Sequence, residues 1–346
     1  MSALRLAVML APSADVDRDA ALARAYEDAG VDVLAVPEAY GVDAVSWLGY
    51  LASVTDRVQL MAQVLPIYSR TPALTAMTAA GIDRVSKGRF ALGLGVSGPQ
   101  VVEGWHGVTY DAPLGRTRDV IEICRKVWRR ERLEHEGAHY RIPLTGGTGL
   151  GKPLKIVDKP LRSRIPVYVA ALGPANTRLT AQLADGWVPF LYIPERADVV
   201  WGEALARGTE ERPAELGPLE IMAGGPMAIG DDVTHKRELD RDHLTMYVGG
   251  MGARGKNFYN TVVRKYGFEA EAEQVQDLYL AGRRAEAAAK LPAALLEGTS
   301  LIGDTSYLKD RLAAYRERGV TVVQVQPVGD DPIRDLRLFR EVLDNC

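Results

Sequence analysis

Hydrophobic positions along this chain follow two alternating rhythms: short unbroken apolar runs, and longer stretches in which apolar residues recur every three or four positions. Residues 57–98 show the pair most clearly. An apolar run at 58–65 ends in Pro66, and a polar loop follows. A helix is expected from Thr71, with Pro72 in its first turn, where a missing amide proton costs nothing. Leu74, Met77, Thr78, Ile82 and Val85 fall at helical spacing and predict the buried side of that helix. Gly88 stops it. Phe90, Ala91 and Leu92 then enter a run without polar alternation, as in a strand buried on both faces.

The same grammar recurs. Residues 20–30 lead into 31–36, residues 177–184 lead through Asp185 and Gly186 into 187–191, and residues 308–319 lead into 320–325. A glycine after each helix predicts a left-handed terminator. Strands are expected at 4–9, 31–36, 58–65, 90–94, 166–170, 187–191, 219–229 and 320–325. Eight strands with helices between them predict an α/β protein, a closed (β/α)8 TIM barrel rather than an open sheet.

Two stretches break the rhythm. Residues 106–164 hold a helix at 117–130, then a hairpin and a glycine-rich loop; residues 231–300 are charged and largely helical, with no strand of their own. Residues 1–346 are read as one domain, with both stretches as insertions at the carboxyl end of the barrel, where they can wall a pocket. The second is equally suited to a dimer surface.

With 346 residues and a formal net charge of -3, the chain has no basic footprint for nucleic acid. No apolar run approaches the roughly 18 residues of a membrane span, and no basic leader precedes the first strand, so a cytoplasmic location is expected. The two cysteines, Cys124 and Cys346, support no disulfide framework; Cys124 falls in a helical pattern and reads as a small buried apolar residue.

Two motifs promise more than their surroundings allow. His135-Glu136-Gly137-Ala138-His139 spells the zinc-binding HExxH, but Gly137 sits at its centre and an extended segment follows, so Glu136-Gly137 reads as a hairpin turn and no metal is expected. Gly93-Leu94-Gly95-Val96-Ser97-Gly98 spells the dinucleotide fingerprint GxGxxG, yet Pro99 and the segment to Trp105 are not expected to open an amphipathic helix at once. Its bare backbone suits a flat ligand lying across strand ends. A third glycine site, Leu172-Gly173-Pro174-Ala175-Asn176, joins the fifth strand to a helix and offers free amides to an anion, with Arg178 as a further charge.

Three long segments carry a resemblance: VPEAYGVDAVSWLGYLAS at 36–53, SRTPALTAMTAAGIDRVSKGRFALGLGVSGPQVVEGWHG at 69–107, and AALGPANTRLTAQLADGW at 170–187. In these the chain resembles the luciferase-like (bacterial luciferase superfamily) oxidoreductases, and within them the actinobacterial branch that uses the deazaflavin coenzyme F420. The resemblance implies a third strand ending in a bulge with a non-proline cis peptide against the deazaflavin ring, by position Gln63-Val64. It implies that Leu172, Gly173, Pro174 and Asn176 hold the coenzyme's phosphate, that Glu38 meets the ring's polar edge, and that Gly95, Ser97 and Gly98 lie beside its far face. Family members that oxidise sugar phosphates or secondary alcohols carry a histidine after the strand-two acid and a glutamate near the end of strand four. This chain has Ala39 and Gly98 there.

Oxidising an alcohol needs a base within hydrogen-bond reach, whereas reducing an activated C=C or C=N bond needs a hydride and one proton donor. Tyr40, His106 or water is the candidate donor, beside Glu38 among the catalytic candidates. Met9, Trp47 and Trp105 are candidates for the substrate pocket wall. The resemblance therefore implies a reductase using reduced F420 on a small-molecule or peptide natural product, working as a homodimer. The alternatives are an FMN-dependent monooxygenase of the same fold and a catalytically silent barrel kept as a binding subunit.

Overall fold

The computed structural model describes residues 4–346. Twelve strands occur among them: β1 Arg5–Met9, β2 Val33–Val36, β3 Gln59–Ala62, β4 Leu65–Pro66, β5 Phe90–Gly95, β6 His135–Glu136, β7 Arg141–Ile142, β8 Val167–Ala170, β9 Gly186–Val188, β10 Glu220–Ile229, β11 Leu301–Gly303 and β12 Val322–Pro327. The helices α1 Val16–Asp28, α2 Ala44–Val54, α3 Pro72–Val85, α4 Pro99–Gly104, α5 Pro113–Trp128, α6 Pro174–Leu183 and α7 Glu203–Glu210 alternate with the first strands. Residues 231–300 hold α8 Arg241–Gly250, α9 Phe258–Lys265, α10 Glu269–Leu280, α11 Arg284–Lys290 and α12 Ala293–Gly298, and α13 Thr305–Glu317 and α14 Pro332–Asp344 complete the chain.

Parallel pairing runs β1-β2-β3-β5-β8-β9-β10-β12 and returns to β1, where Arg5 lies opposite Val322 and Val8 opposite Val325. The ring is closed, and the fold is a (β/α)8 TIM barrel. Its interior is narrow and filled by Ala7, Val33, Ala35, Met61, Ala91, Tyr168, Val188, Met222 and Val322. A larger apolar layer lies between the strands and the outer helices.

Each of the eight expected strands is present, with shifted ends. The run at 187–191 pairs only as far as Val188, because Pro189 has no amide to donate to a ladder. The run at 58–65 divides into β3 and β4. Between the β5 pairings of Met61 with Ala91 and of Leu65 with Leu94, one strand advances four residues and the other three, so a bulge of one residue sits at 63–64. The peptide bond between Gln63 and Val64 is cis, as the resemblance implied.

Helices begin earlier than their apolar periods suggest, since their caps precede the first apolar position. Asp15, Asp43, Thr71 and Asp304 each accept a hydrogen bond from the amide three residues on. Gly30, Gly88 and Gly319 end α1, α3 and α13 with positive φ, as expected. Gly186 does something else: α6 ends at Ala184 in an extended conformation, and Gly186 lies inside β9, where a Cβ would come within 2.2 Å of the Tyr168 ring.

The buried side of α3 is not the one its large apolar residues predict. Leu74, Met77 and Val85 are 47%, 55% and 55% exposed, and Thr78 is half-buried. Ala76, Ala79 and Ala80 face inward with Ile82, because small side chains let the helix approach β5 and α5 closely. Cys124 is buried in α5 as expected, and burial pushes its thiol well above the ordinary value.

Candidate active site

The carboxyl end of the barrel is built by the alternation of its strands. Inner-core residues Ala7, Met61, Ala91, Val188 and Val322 place Met9, Gln63, Gly95, Phe190 and Gln324 on the same inward parity, nearer the carboxyl end. Gln63 and Gln324 exchange amide hydrogen bonds across the interior, Gln63 Nε2 donating to Gln324 Oε1 at 2.7 Å and Gln324 Nε2 to Gln63 Oε1 at 3.1 Å. Sequence reasoning missed Gln324, which has no motif around it.

The glycines of the 93–98 segment divide into two uses. A Cβ at Gly93 would stand 1.9 Å from the Ala62 carbonyl oxygen, and one at Gly95 would stand 2.4 Å from Val64 Cγ2. Those two absences of side chain admit the bulged neighbour strand. Gly98 instead precedes α4 as its cap residue, and Ser97 adopts a left-handed backbone (φ 57°) with its side chain exposed.

Glu38 leaves the end of β2 and is met by a residue the motifs did not flag. Arg70 Nη1 donates to Glu38 Oε1 at 2.5 Å and Arg70 Nη2 to Oε2 at 2.9 Å, while the Ala44 amide donates to Oε2 at 3.0 Å. The two side chains are only 8% and 15% exposed. Glu38 is thus saturated by protein donors. It ties the loop after β2 to the loop after β4 and caps the start of α2.

Tyr40 and Trp105 stand at the rim, 64% and 67% exposed, their ring centroids 6.4 Å apart. His106 follows Trp105 in sequence, with its Nε2 buried and without a protein partner. Met9 is exposed at the end of β1. Trp47, by contrast, is buried in α2 edge-on to Tyr50, so its place is in the core and the pocket-wall expectation for it is corrected.

The 172–176 turn is held from behind by two indoles. Trp187 Nε1 donates to the Ala171 carbonyl and Trp201 Nε1 to the Leu172 carbonyl, both at 2.9 Å. Gly173 and Pro174 then open α6 without a side-chain cap, and among the described hydrogen bonds the amides of Ala175 and Asn176 have no acceptor. Asn176 Oδ1 and Thr177 Oγ1 are buried and unpartnered. Free amides at a helix start favour an anion. Arg178 does not contribute: its guanidinium pairs with Glu211 beyond α7. A Cβ at Gly173 would come within 2.9 Å of the Phe258 ring, so α9 of the second insertion leans directly on this turn.

The insertion also reaches the barrel mouth. The Phe190 ring packs at 4.6 Å against Tyr247 of α8, at 5.8 Å against Tyr259 of α9 and at 6.1 Å against His243 of α8. His243 Nδ1 is 2.9 Å from Asp240 Oδ1. Burial first, then the Asp240 carboxylate and the Tyr40 phenol, push the Tyr247 hydroxyl above the ordinary phenol value.

The HExxH letters form a β-hairpin, with His135 opposite Ile142 and Glu136 opposite Arg141, so Glu136 belongs to the strand and the turn runs from Gly137 to Tyr140 rather than over Glu136-Gly137. His139 turns toward Gly115, away from His135. Asp119, Glu122 and His135 are the grouping among the described residues whose donor atoms come within 4.8 Å of one another. Asp119 is already used: its Oδ2 accepts the amides of His139 and Tyr140 at 3.1 and 3.2 Å, and its Oδ1 lies 3.2 Å from His135 Nε2. That cluster pins the hairpin to α5. Among the described residues no helix is long and apolar enough to cross a membrane.

Comparison with known proteins gives the geometry its relatives. The chain is 41% identical over 323 residues, 92% of each protein, to a Mycobacterium tuberculosis protein whose name provisionally assigns it to the coenzyme F420-dependent oxidoreductases. It is 26% identical over 321 residues, 90% of each, to the 5,10-methylenetetrahydromethanopterin reductase of Archaeoglobus fulgidus. Among solved structures, the coenzyme F420-dependent tetrahydromethanopterin reductase of Methanopyrus kandleri superposes with a TM-score of 0.78 over 97% of both chains, at 21% identity. An F420-dependent secondary alcohol dehydrogenase with an F420-acetone adduct gives 0.72 over 99% of this chain and 98% of that one, at 15% identity. The sequence pattern of the luciferase-like monooxygenase family matches residues 2–322, and this chain belongs to that family.

Proposed function

We propose that the chain is a coenzyme F420-dependent oxidoreductase that works in the reducing direction, on an activated C=C or C=N bond of a small-molecule or peptide natural product. The observation that carries the reading is the uncapped start of α6, where the backbone amides of Ala175 and Asn176 have no acceptor, two strands along from the bulge at 63–64. Two strand spacings are about 10 Å, so one cofactor lying over β5 can meet both. The full-length relatives named above agree with an F420 enzyme, and two of them are reductases by name.

The residues present fit the coenzyme. The amides of Ala175 and Asn176 would take its phosphate, with Leu172, Gly173 and Pro174 shaping the turn; Trp187 and Trp201 fix the carbonyls of Ala171 and Leu172 so that these amides stay aimed outward. The Gln63 side chain and Val64 would bound the ring on the bulge side, with Gly95, Ser97 and Gly98 along β5 and its loop. When bound, reduced F420 would supply a hydride equivalent from carbon 5 of its deazaflavin ring, leaving the oxidised coenzyme. Glu38 acts through Arg70, holding the loop after β4 at the ring's edge. Tyr40, exposed at the rim, and His106, whose Nε2 is buried without a protein partner, are the candidate proton donors. Ala39 and Gly98 leave no acid-base pair at the places where the oxidising relatives carry one, which favours reduction.

The chain is read as one domain with its two insertions, in a cytoplasmic setting, and as a homodimer, for which the 231–300 insertion is the candidate surface. Fluorescence titration with F420 and FMN tests the cofactor. F420 binding tighter than FMN supports the reading, and the reverse order ends it in favour of a flavin monooxygenase. Oxidation of reduced F420 by cyclohex-2-en-1-one or a cyclic imine would remove the silent-barrel alternative.

A further inference from the structure

Six side chains stand at the carboxyl end of the barrel, Tyr40 paired with Trp105 and Phe190 packed with Tyr247 and His243. Tyr40 follows β2, Trp105 follows α4, Phe190 follows β9 and Met9 ends β1, while Tyr247 and His243 come down from α8. β2 and β9 stand on opposite sides of the eight-strand ring, yet Tyr247 packs on Phe190 at 4.6 Å and feels the Tyr40 phenol. Helix α8 therefore overhangs the opening from the β9 side. Tyr247 and His243 are one helical turn apart, on the face that meets Phe190, whereas Leu244 and Val248 are buried in the insertion's own core.

The charges next to this ring are already engaged. Arg70 is paired twice with Glu38, and His243 is held by Asp240. None of the six is a lysine or arginine that could receive a substrate phosphate or carboxylate. Aromatic faces bind flat conjugated molecules by stacking. A phenol whose proton is held on by burial and nearby Asp240 remains a hydrogen-bond donor.

We infer that the substrate is a flat, uncharged, conjugated carbonyl compound, stacked among Tyr40, Trp105 and Tyr247 at the barrel mouth, with its oxygen accepting a hydrogen bond from the Tyr247 hydroxyl. The inference rests on the F420 reading for the site where reduction occurs, but its binding claim stands on the ring of side chains alone. It assigns substrate selection to α8 of the 231–300 insertion, leaving cofactor binding to the barrel and its loops.

The test is calorimetric titration of the protein, with and without saturating F420, using coumarin as the flat neutral probe and glucose 6-phosphate as the charged one. Coumarin is expected to bind at least about ten-fold more tightly than glucose 6-phosphate. Tyr247→Ala is expected to weaken coumarin about ten-fold, and Trp105→Ala and Tyr247→Phe each about three- to five-fold. Trp105 is the single exposed tryptophan of five, so its emission reports occupancy of the mouth independently, and the exposed position lets Trp105→Ala fold normally. Equal or tighter binding of glucose 6-phosphate, coumarin affinity unaffected by Tyr247→Ala and Trp105→Ala, or no coumarin binding to either form of the protein overturns the inference. Deazaflavin fluorescence measures F420 affinity separately. Loss of F420 binding with coumarin still bound through Tyr247 would sink the cofactor assignment and leave this one standing.

Discussion

Changing Glu38 to glutamine keeps the volume at the Glu38–Arg70–Ala44 junction but removes its charge and turns one acceptor into a donor. The least damaging amide orientation keeps the Oε2 position as oxygen, so the bonds from Arg70 Nη2 and the Ala44 amide survive while Arg70 Nη1 faces an NH2 group. A charge-assisted hydrogen bond contributes about 1.5–3 kcal/mol. Removing one partner of a buried ion pair costs about 3–5 kcal/mol in full, and this pair, at 8% and 15% exposure, lies near that limit. We expect Glu38→Gln to cost about 2–4 kcal/mol in equilibrium urea unfolding. Arg70→Met should cost a similar amount. The double variant should fall well short of the sum, with a coupling of about 2 kcal/mol. F420 affinity should follow stability, because Glu38 acts through Arg70. A coupling under about 0.5 kcal/mol, together with loss of F420 binding at unchanged stability, would refute the argument and make Glu38 a direct contact of the ring.

Three further outcomes follow from single sites. Gly93→Ala should prevent folding or cost more than about 3 kcal/mol, since its methyl group would overlap the Ala62 carbonyl; circular dichroism and soluble yield read this directly. Glu27 is pushed up by burial but pulled further down by the amides of Val58, Arg57 and Asp56, so its folded pKa lies below the ordinary value. The stability it gives is therefore full above about pH 4.3 and is lost as pH falls through the folded pKa. Glu27→Gln should be the less stable protein at pH 7, with the gap closing in acid unfolding curves. Finally, dialysis against a chelator should leave the thermal melt unchanged. Asp119→Ala should lower it by removing the two amide bonds that hold the 135–142 hairpin, and a chelator-sensitive melt would restore the metal reading of that cluster.

The barrel was legible because its grammar is local: caps, apolar periods and terminal glycines are written within ten residues of where they act. Strand ends were less so, as at Val188, where one proline halted the pairing of a run that remained apolar. The side of α3 was misread for a different reason. Apolar size marks where hydrophobic surface is, whereas the barrel needs closeness, and alanines supply it. The glycines at 93 and 95 were noticed for the right property, but a sequence does not say that the bulged strand itself comes near them. The anion site at 172–176 was read from its local glycine pattern, whereas the bulge at 63–64 came through the resemblance. Arg70, Gln324 and Trp201, which support Glu38, Gln63 and Leu172, lie 29 to 261 residues from the groups they bond, distances no local pattern spans.

The long strand β10 has a further use at its carboxyl end. After Met227 its edge accepts β11, so Ile229, where the chain leaves for the 231–300 excursion, lies opposite Gly303, where it has just come back, and the Gly230 amide donates to the Gly303 carbonyl at 3.1 Å. Departure and return are thus zipped together within one strand spacing. Seventy residues can lengthen, shorten or be replaced without the staves of the barrel moving apart, so a donor segment bearing the same short zipper should transplant as a cassette and carry a new selectivity with it.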